Sequence, residues 1–325
     1  MRTVEFKEYG GPEVLTLVET VAPEPGPGQV TIDAAYAGVN FADVKARSEG
    51  YRVPRLPFVP GLEVSGRIRA VGDGVQGLRP GQEVAAFLDS GGYAEVVTAP
   101  SATVFPLPDG VDLRTGATLP TVLPTAHAVL HEVGRLRAGE SVLVQGAAGG
   151  VGTVAGQLAR AAGAGAVYGV VSSAEKAAYA LAHGYDEVFV GDTFPDGVRR
   201  ATEGRGVDLV LDPVGGETLR RGLDALAVFG RLVSFGNAGG ARPWHVGQPE
   251  LYPGGRSVAG FSILELAAHA PATLRALAER AFRTVTEGQA VLPVTAEFAL
   301  PDAADAHLLM EGRTSTGKLV LRIAG

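Results

Sequence analysis

The sequence predicts an α/β protein in two parts: a small, irregular, mostly antiparallel β-rich domain and a doubly wound parallel sheet with crossover helices. Three observations predict it. From Thr3 to Leu119 short strand-like runs are broken by Gly and Pro; from about Pro120 apolar runs alternate with Ala-rich helical stretches; and the glycine-rich segment GAAGGVG (146–152) stands between one such run and one such stretch. Alternation of this second kind marks βαβ units, and the first kind marks tight-turned β structure. The 325 residues suit two ordinary domains, and 46 Gly with 21 Pro predict many tight turns.

The β-rich part reads TVEF (3–6), VLTLVE (14–19), the proline-rich EPGPG (24–28), QVTIDAAYAGV (29–39), and turns at GDGV (72–75) and RPGQEV (79–84). Asp43 reads as the N-cap of a helix over VKARS, because Asp is a favoured cap. The second part reads as strands at 141–146, 166–171, 186–190, 207–212, 231–236 and 257–262. Helices fall at 150–162, from about 174, and at 217–226. A long Ala-rich helical stretch follows at about 264–287, with Pro271 as its break. Strands near VLPVTAEFAL and KLVLRI flank a helix at 303–311, and they are expected to rejoin the N-terminal domain, since both are otherwise short of sheet partners.

Composition excludes several classes. A net charge of −7 without any basic run argues against nucleic acid. Cysteine is absent, which removes disulfides, thiol catalysis and the thiolates that structural zinc sites use. No apolar stretch approaches the roughly 18 residues that span a bilayer, and no signal-like segment opens the chain, so a cytoplasmic protein is expected. Lysine occurs only at positions 7, 45, 176 and 318.

Ala147, Gly149 and Gly152 stand at dinucleotide-fingerprint spacing, with Ala in place of the first Gly. Gly149 lets the backbone approach a pyrophosphate, Gly152 lets helix pack on sheet, and the helix amides attract phosphate charge. The next strand ends at VVSSAEK, where an NAD-specific site places an acid; Ser172, Ser173 and Lys176 fit a 2′-phosphate instead and point to NADPH. The alternative makes Glu175 and Lys176 solvated charges. Asn40, in AGVNFAD, is a polar amide in an apolar turn, which either the local backbone or a ligand must satisfy.

YGGPEVL (9–15), GVNFAD (38–43), LPFVPGLEVSGRIRAVGDGV (56–75), GGYAEV (91–96), GAAGGVG, DPVGG (212–216), RLVSFGNAGG (231–240) and STGKLVLRI (315–323) together resemble the zinc-independent, zeta-crystallin-like quinone oxidoreductases of the medium-chain dehydrogenase/reductase superfamily. The resemblance runs nearly end to end. It implies a GroES-like catalytic domain of residues 1–122 and 264–325, a Rossmann NADP(H)-binding domain of residues 123–263 with the nicotinamide in the cleft, and a homodimer paired through SVAGFS. In zinc-dependent relatives a Cys ligand stands where Asn40 does and a His where Leu62 does, so no metal is expected.

The resemblance also implies the site residues. Cofactor contacts are Asn40, Thr125, Gly149, Gly150, Val151, Ser172, Ser173, Lys176, Gly236, Asn237, Phe261, Ser262 and Lys318, the last of which reads equally as a surface residue on the final strand. Substrate-side or catalytic candidates are Asn40, Lys45, Tyr51, His127 and Arg256. Lys45 stands where relatives carry the first of two tyrosines, and Gly191 where some carry a Tyr reaching the 2′-phosphate. Without a Lewis acid the acceptor must be intrinsically electrophilic, so hydride transfer from NADPH to a quinone or related conjugated carbonyl is expected. The alternatives are an enoyl or enone reductase, including a polyketide-type one, and a non-catalytic NADPH-binding protein.

Overall fold

Two compact units organise the computed structural model, which describes residues 1–240 and 244–323. One comprises residues 1–122, 264–286 and 292–323; the other comprises Leu123–Ile263 and Glu287–Val291. In chain order the strands are β1 (Arg2–Glu5), β2 (Thr16–Glu19), β3 (Gln29–Val39), β4 (Glu63–Val71), β5 (Glu83–Phe87), β6 (Val96–Pro100) and β7 (Val104–Pro106). They continue with β8 (Ser141–Gln145), β9 (Ala166–Val171), β10 (Glu187–Val190), β11 (Val207–Asp212), β12 (Leu226–Ser234), β13 (Ser257–Gly260), β14 (Val294–Ala299) and β15 (Lys318–Arg322).

In the first unit β3 is the hub. It pairs antiparallel with β4, β6 and β15, and the larger sheet runs β14-β15-β3-β4-β5-β7. Val30, Ile32, Val64, Ile68, Val84, Leu319 and Leu321 fill its core at no more than 2% exposure, each side chain contributing roughly 1.5–3 kcal/mol of burial. The register decides what happens where β3 ends. Leu319 lies opposite Val39 and Glu63 opposite Gly38, so the first residues of β15 and β4 flank the last residues of β3. Gly38 has no room for a side chain, because a Cβ there would overlap Glu63 Oε1 and the Ala117 carbonyl oxygen.

The second unit is a six-stranded parallel sheet in the order β10-β9-β8-β11-β12-β13. The order reverses between β8 and β11, and open α/β sheets bind ligands beyond the strand ends at such a switch point. Helix Gly150–Ala161 leaves the end of β8. A Cβ on Gly152 would overlap the Gly146 carbonyl oxygen, and the buried Tyr185 hydroxyl donates to the Gly152 carbonyl at 2.6 Å. Gly152 therefore sets how closely this helix packs.

Several elements differ from the sequence reading. The helix expected to 226 ends at Asp224, and β12 begins at Leu226 instead of Arg231. Its register on β11 jumps from Leu226 to Arg231, with Phe229 at φ 62° inside the bulge. Helix Phe194–Ala201 was not anticipated; Pro195 sits in its first turn, where its missing N–H costs nothing. Asp43 is not an N-cap: helix Phe41–Glu49 is capped by Asn40, and Asp43 is its third residue. Pro271 opens helix Pro271–Thr286 after Ile263–His269 ends. Among the described residues no helix is long and apolar enough to cross a membrane.

Gly152→Val is expected to lower stability by about 1–3 kcal/mol through overpacking, read by urea unfolding; a change within about 0.5 kcal/mol would contradict the close packing described for Gly152.

Candidate functional site

Asn40 follows β3 directly, between the ends of its two neighbour strands. Its Nδ2 donates to Glu63 Oε1 at 2.9 Å, and its Oδ1 accepts from Lys318 Nζ at 2.8 Å. Lys318 Nζ also donates to Glu63 Oε1 at 2.7 Å and to the Val39 carbonyl at 2.9 Å. The other Glu63 oxygen accepts the Thr121 amide at 2.9 Å. Glu63 is fully buried and Lys318 is 3% exposed. This corrects the surface reading of Lys318: it is buried, and its ammonium donates to three acceptors inside the first unit.

Asp43 completes the turn from below. Its carboxylate accepts the Asn40 amide and the Gly61 amide, each at 2.9 Å. Burial pushes the Asp43 carboxyl up to about 7 despite those two bonds and the nearby Lys318 charge; Glu63 raises it further. Tyr93 and His307 stand behind it. The Tyr93 hydroxyl lies 3.0 Å from His307 Nε2. Burial, then the Asp43 and Glu63 charges, raise the Tyr93 phenol, while burial and then Arg47 push His307 down to about 3. Both side chains are therefore neutral at physiological pH. Arg47, fully buried, ties helix Phe41–Glu49 to the Gly10 carbonyl and to Glu311 of helix Ala303–Glu311.

The other first-unit candidates lie near this turn. Lys45 pairs with Glu49 at 2.9 Å along the helix. Tyr51 is exposed and, with Asp43, Arg52, Phe58, Leu62 and Ser90, lines a cavity of about 20 Å³.

The second unit gathers a different set at the ends of its strands. Gly149 caps helix Gly150–Ala161, and its N–H bonds the Gly146 carbonyl at 2.9 Å. Helix geometry leaves the amides of Gly150, Val151 and Gly152 without intrahelical acceptors. Ser172 and Ser173 follow the end of β9, with Lys176 half-buried in the helix beyond. Asp212 ends β11, accepts the Val214 amide at 2.9 Å and the Gly215 amide at 3.0 Å, and is raised by burial to about 6. A Cβ on Gly236 would come 2.7 Å from the Pro213 carbonyl, and one on Gly215 would come 2.7 Å from Asn237 Oδ1. The segments that follow β11 and β12 thus pack closely against each other at Gly215 and Gly236. Phe261 and Ser262 follow β13, and the Phe261 amide bonds the Ser234 carbonyl at 2.9 Å.

Thr125 and His127 lie on helix Leu119–His127, and the His127 ring lies 4.7 Å from that of His131, tilted by 58°. Arg256 precedes β13, 4.0 Å from Asp224. The sequence reading missed the Arg47–Glu311 and Tyr93–His307 pairs, which join residues more than 200 positions apart.

Residues 26–109 match the alcohol dehydrogenase GroES-like domain, and residues 150–281 match the zinc-binding dehydrogenase family. A quinone oxidoreductase of Pseudomonas aeruginosa is 36% identical over 323 residues, covering 98% of this chain and 99% of that protein. The chain belongs to the quinone oxidoreductase family of the medium-chain dehydrogenase/reductases. Two solved structures that it resembles over 99% of its length, and over the whole of each, are Escherichia coli quinone oxidoreductase complexed with NADPH (TM-score 0.92, 30% identity) and a mycobacterial protein complexed with NADPH (TM-score 0.93, 34% identity). Membership in the quinone oxidoreductases accounts for the pairing of a GroES-like sheet with a Rossmann-type sheet in one chain.

The Asp43 shift has a testable sign. Its folded value lies above that of an unfolded Asp, so between pH 4 and 7 the folded state holds a proton that the unfolded chain has lost. Stability from this group is full below about pH 4 and is lost as pH rises toward 7. Relative to Asp43→Asn, the wild type is expected to lose up to about 4 kcal/mol of unfolding free energy across that range, read by urea denaturation at several pH values. A pH-independent difference between the two proteins would contradict it.

Proposed function

We propose that this chain is an NADPH-dependent reductase that delivers hydride, without zinc, to quinones and related conjugated carbonyls. The observation that carries the reading is the end of the parallel sheet, where a glycine turn opens a helix beside β8 and two serines with a lysine, rather than an acid, follow β9. The NADPH complexes of two relatives support it.

The residues present fit the cofactor. Gly152 and Gly236 leave backbone where a Cβ would overlap a neighbouring carbonyl, and the open amides of Gly150, Val151 and Gly152 suit a pyrophosphate. Ser172, Ser173 and Lys176 suit a 2′-phosphate. Thr125, Asn237, Phe261 and Ser262 are assigned to the nicotinamide end on family pattern. When bound, NADPH supplies a hydride from its nicotinamide C4. Asn40 offers an amide to the nicotinamide or the acceptor. Tyr51, Lys45, His127 and Arg256 are assigned to the acceptor, whose reduced oxygen takes its proton from one of these side chains or from water.

Zinc does not fit. Catalytic zinc takes three protein ligands and keeps a fourth position open. The chain has no cysteine, the Asn40 Nδ2 donates rather than accepts, and both Glu63 oxygens are taken, one of them by an ammonium at 2.7 Å. A cation there would have to displace Lys318. Among the described residues no group of three or more His, Asp or Glu side chains is placed to hold a metal. With no Lewis acid to stabilise an alkoxide, the acceptor must delocalise the incoming charge itself, which favours quinones and enones over simple ketones.

A homodimer is also proposed. β13 pairs with β12 on one edge only among the described residues, and the exposed Val228, Phe229 and Tyr252 lie beside it. An unpaired edge with an apolar flank invites a second copy across a two-fold axis.

Purified protein is expected to oxidise NADPH with a quinone or an enone, at least tenfold faster than NADH at equal concentration. Equal rates would sink the assignment of Ser172 and Lys176, and NADPH binding without turnover on quinones, enones and enoyl thioesters would sink the enzyme. Phe229→Asp is expected to shift sedimentation from dimer to monomer; an unchanged dimer places the interface elsewhere.

A further inference from the structure

We propose that Lys318 is a positioning residue, which together with Glu63 locks the Asn40 amide in one of its two flip states and leaves a single Nδ2 proton to point out of the cluster. The inference rests on the NADPH-dependent reading above and deepens it, taking Lys318 away from the cofactor and giving it to Asn40.

The two ends of a side-chain amide are nearly isosteric, and its orientation is set by its partners. Here the partners are charged and of opposite sign. Oδ1 faces an ammonium at 2.8 Å and Nδ2 a carboxylate at 2.9 Å. A flipped amide would set N–H against ammonium and C=O against carboxylate, two repulsions in a site shielded from water, where they are strong. The lock is itself held by register: Lys318 opens β15 beside Val39, and Glu63 opens β4 opposite Gly38. Glu63 cannot relax, because the Thr121 amide takes its second oxygen and Gly38 closes the space beside its first.

Of the two Nδ2 protons, Glu63 takes one. The ammonium on Oδ1 draws density from the amide nitrogen and strengthens the other as a donor. A donor fixed before the reaction begins is what a carboxamide, or an oxygen gaining charge, requires of a protein. The role predicts an effect on turnover rather than on cofactor affinity.

Lys318→Met alone strands a buried carboxylate, so the test uses Glu63→Gln with Lys318→Met, which removes the ion pair as a unit at small cost in stability. The double variant is expected to fold, to bind NADPH within about threefold of wild type by fluorescence titration, and to lose about tenfold or more in kcat. Wild-type kcat overturns the proposal. So does unchanged kcat with tenfold weaker NADPH binding, which would return Lys318 to the cofactor. A second measurement needs neither turnover nor the double variant. In the 15N–1H spectrum of the wild type, the Asn40 side-chain amide, assigned by its loss in Asn40→Ala, should show one proton protected from solvent exchange and one not. Two protons exchanging equally fast overturn the lock. If wild type oxidises no NADPH while the exchange asymmetry is present, the reductase reading fails and the lock stands.

Discussion

A buried ammonium beside a buried carboxylate is the constraint on which the first unit's site depends. Taking Lys318 and Glu63 out of water costs several kcal/mol for each ion, and their attraction offsets this only where the remaining valences are also satisfied. Here they are: the ammonium spends three protons on Val39, Asn40 and Glu63, and the carboxylate accepts from Lys318, Asn40 and Thr121. The pair adds little net stability over an apolar replacement. What it supplies is geometry, since three strands must be in register before the cluster closes.

The two units meet their tasks by different physics. In the Rossmann-type unit the features proposed for the cofactor are largely backbone, open helix amides and a turn that tolerates no side chain at Gly152, with the side chains of Ser172, Ser173 and Lys176 added after β9. In the GroES-like unit the features are side chains of opposite charge held at fixed distances, with Tyr93 and His307 neutral behind them and the Asp43 carboxyl raised to about 7. A third full charge would there add desolvation cost without a partner, and the raised Asp43 and lowered His307 both reflect that pressure.

Most of the architecture was legible in the sequence, because hydrophobic period and glycine punctuation are local. The strands at 141–145, 166–171 and 207–212 and the helices Gly150–Ala161 and Ala303–Glu311 lie where periodicity put them. The errors have local causes too: a bulge at Phe229 lengthened β12 toward the N-terminus, and Pro195 with Gly197 disguised a helix. The site was legible only in part. Asn40 stood out as an amide in an apolar turn, but its partners lie 23 and 278 residues away and are set by strand register, which one sequence does not display. Lys318 carried a faint signal, as one of four lysines, placed directly before the apolar run Leu319–Leu321. Asp43 was misassigned because an Asp suits either place at a helix start: a cap accepts amides ahead of it, whereas Asp43, as third helical residue, reaches back to the Asn40 amide.

The account's central claim is that Lys318 serves Asn40 rather than the cofactor. A crystal structure of the NADPH complex at atomic resolution tests it most directly. The claim predicts Lys318 Nζ still bonded to Asn40 Oδ1, Glu63 and the Val39 carbonyl, with the Asn40 Nδ2 turned toward the ligand. An ammonium swung onto the cofactor, with the Asn40 amide flipped or released, would contradict it.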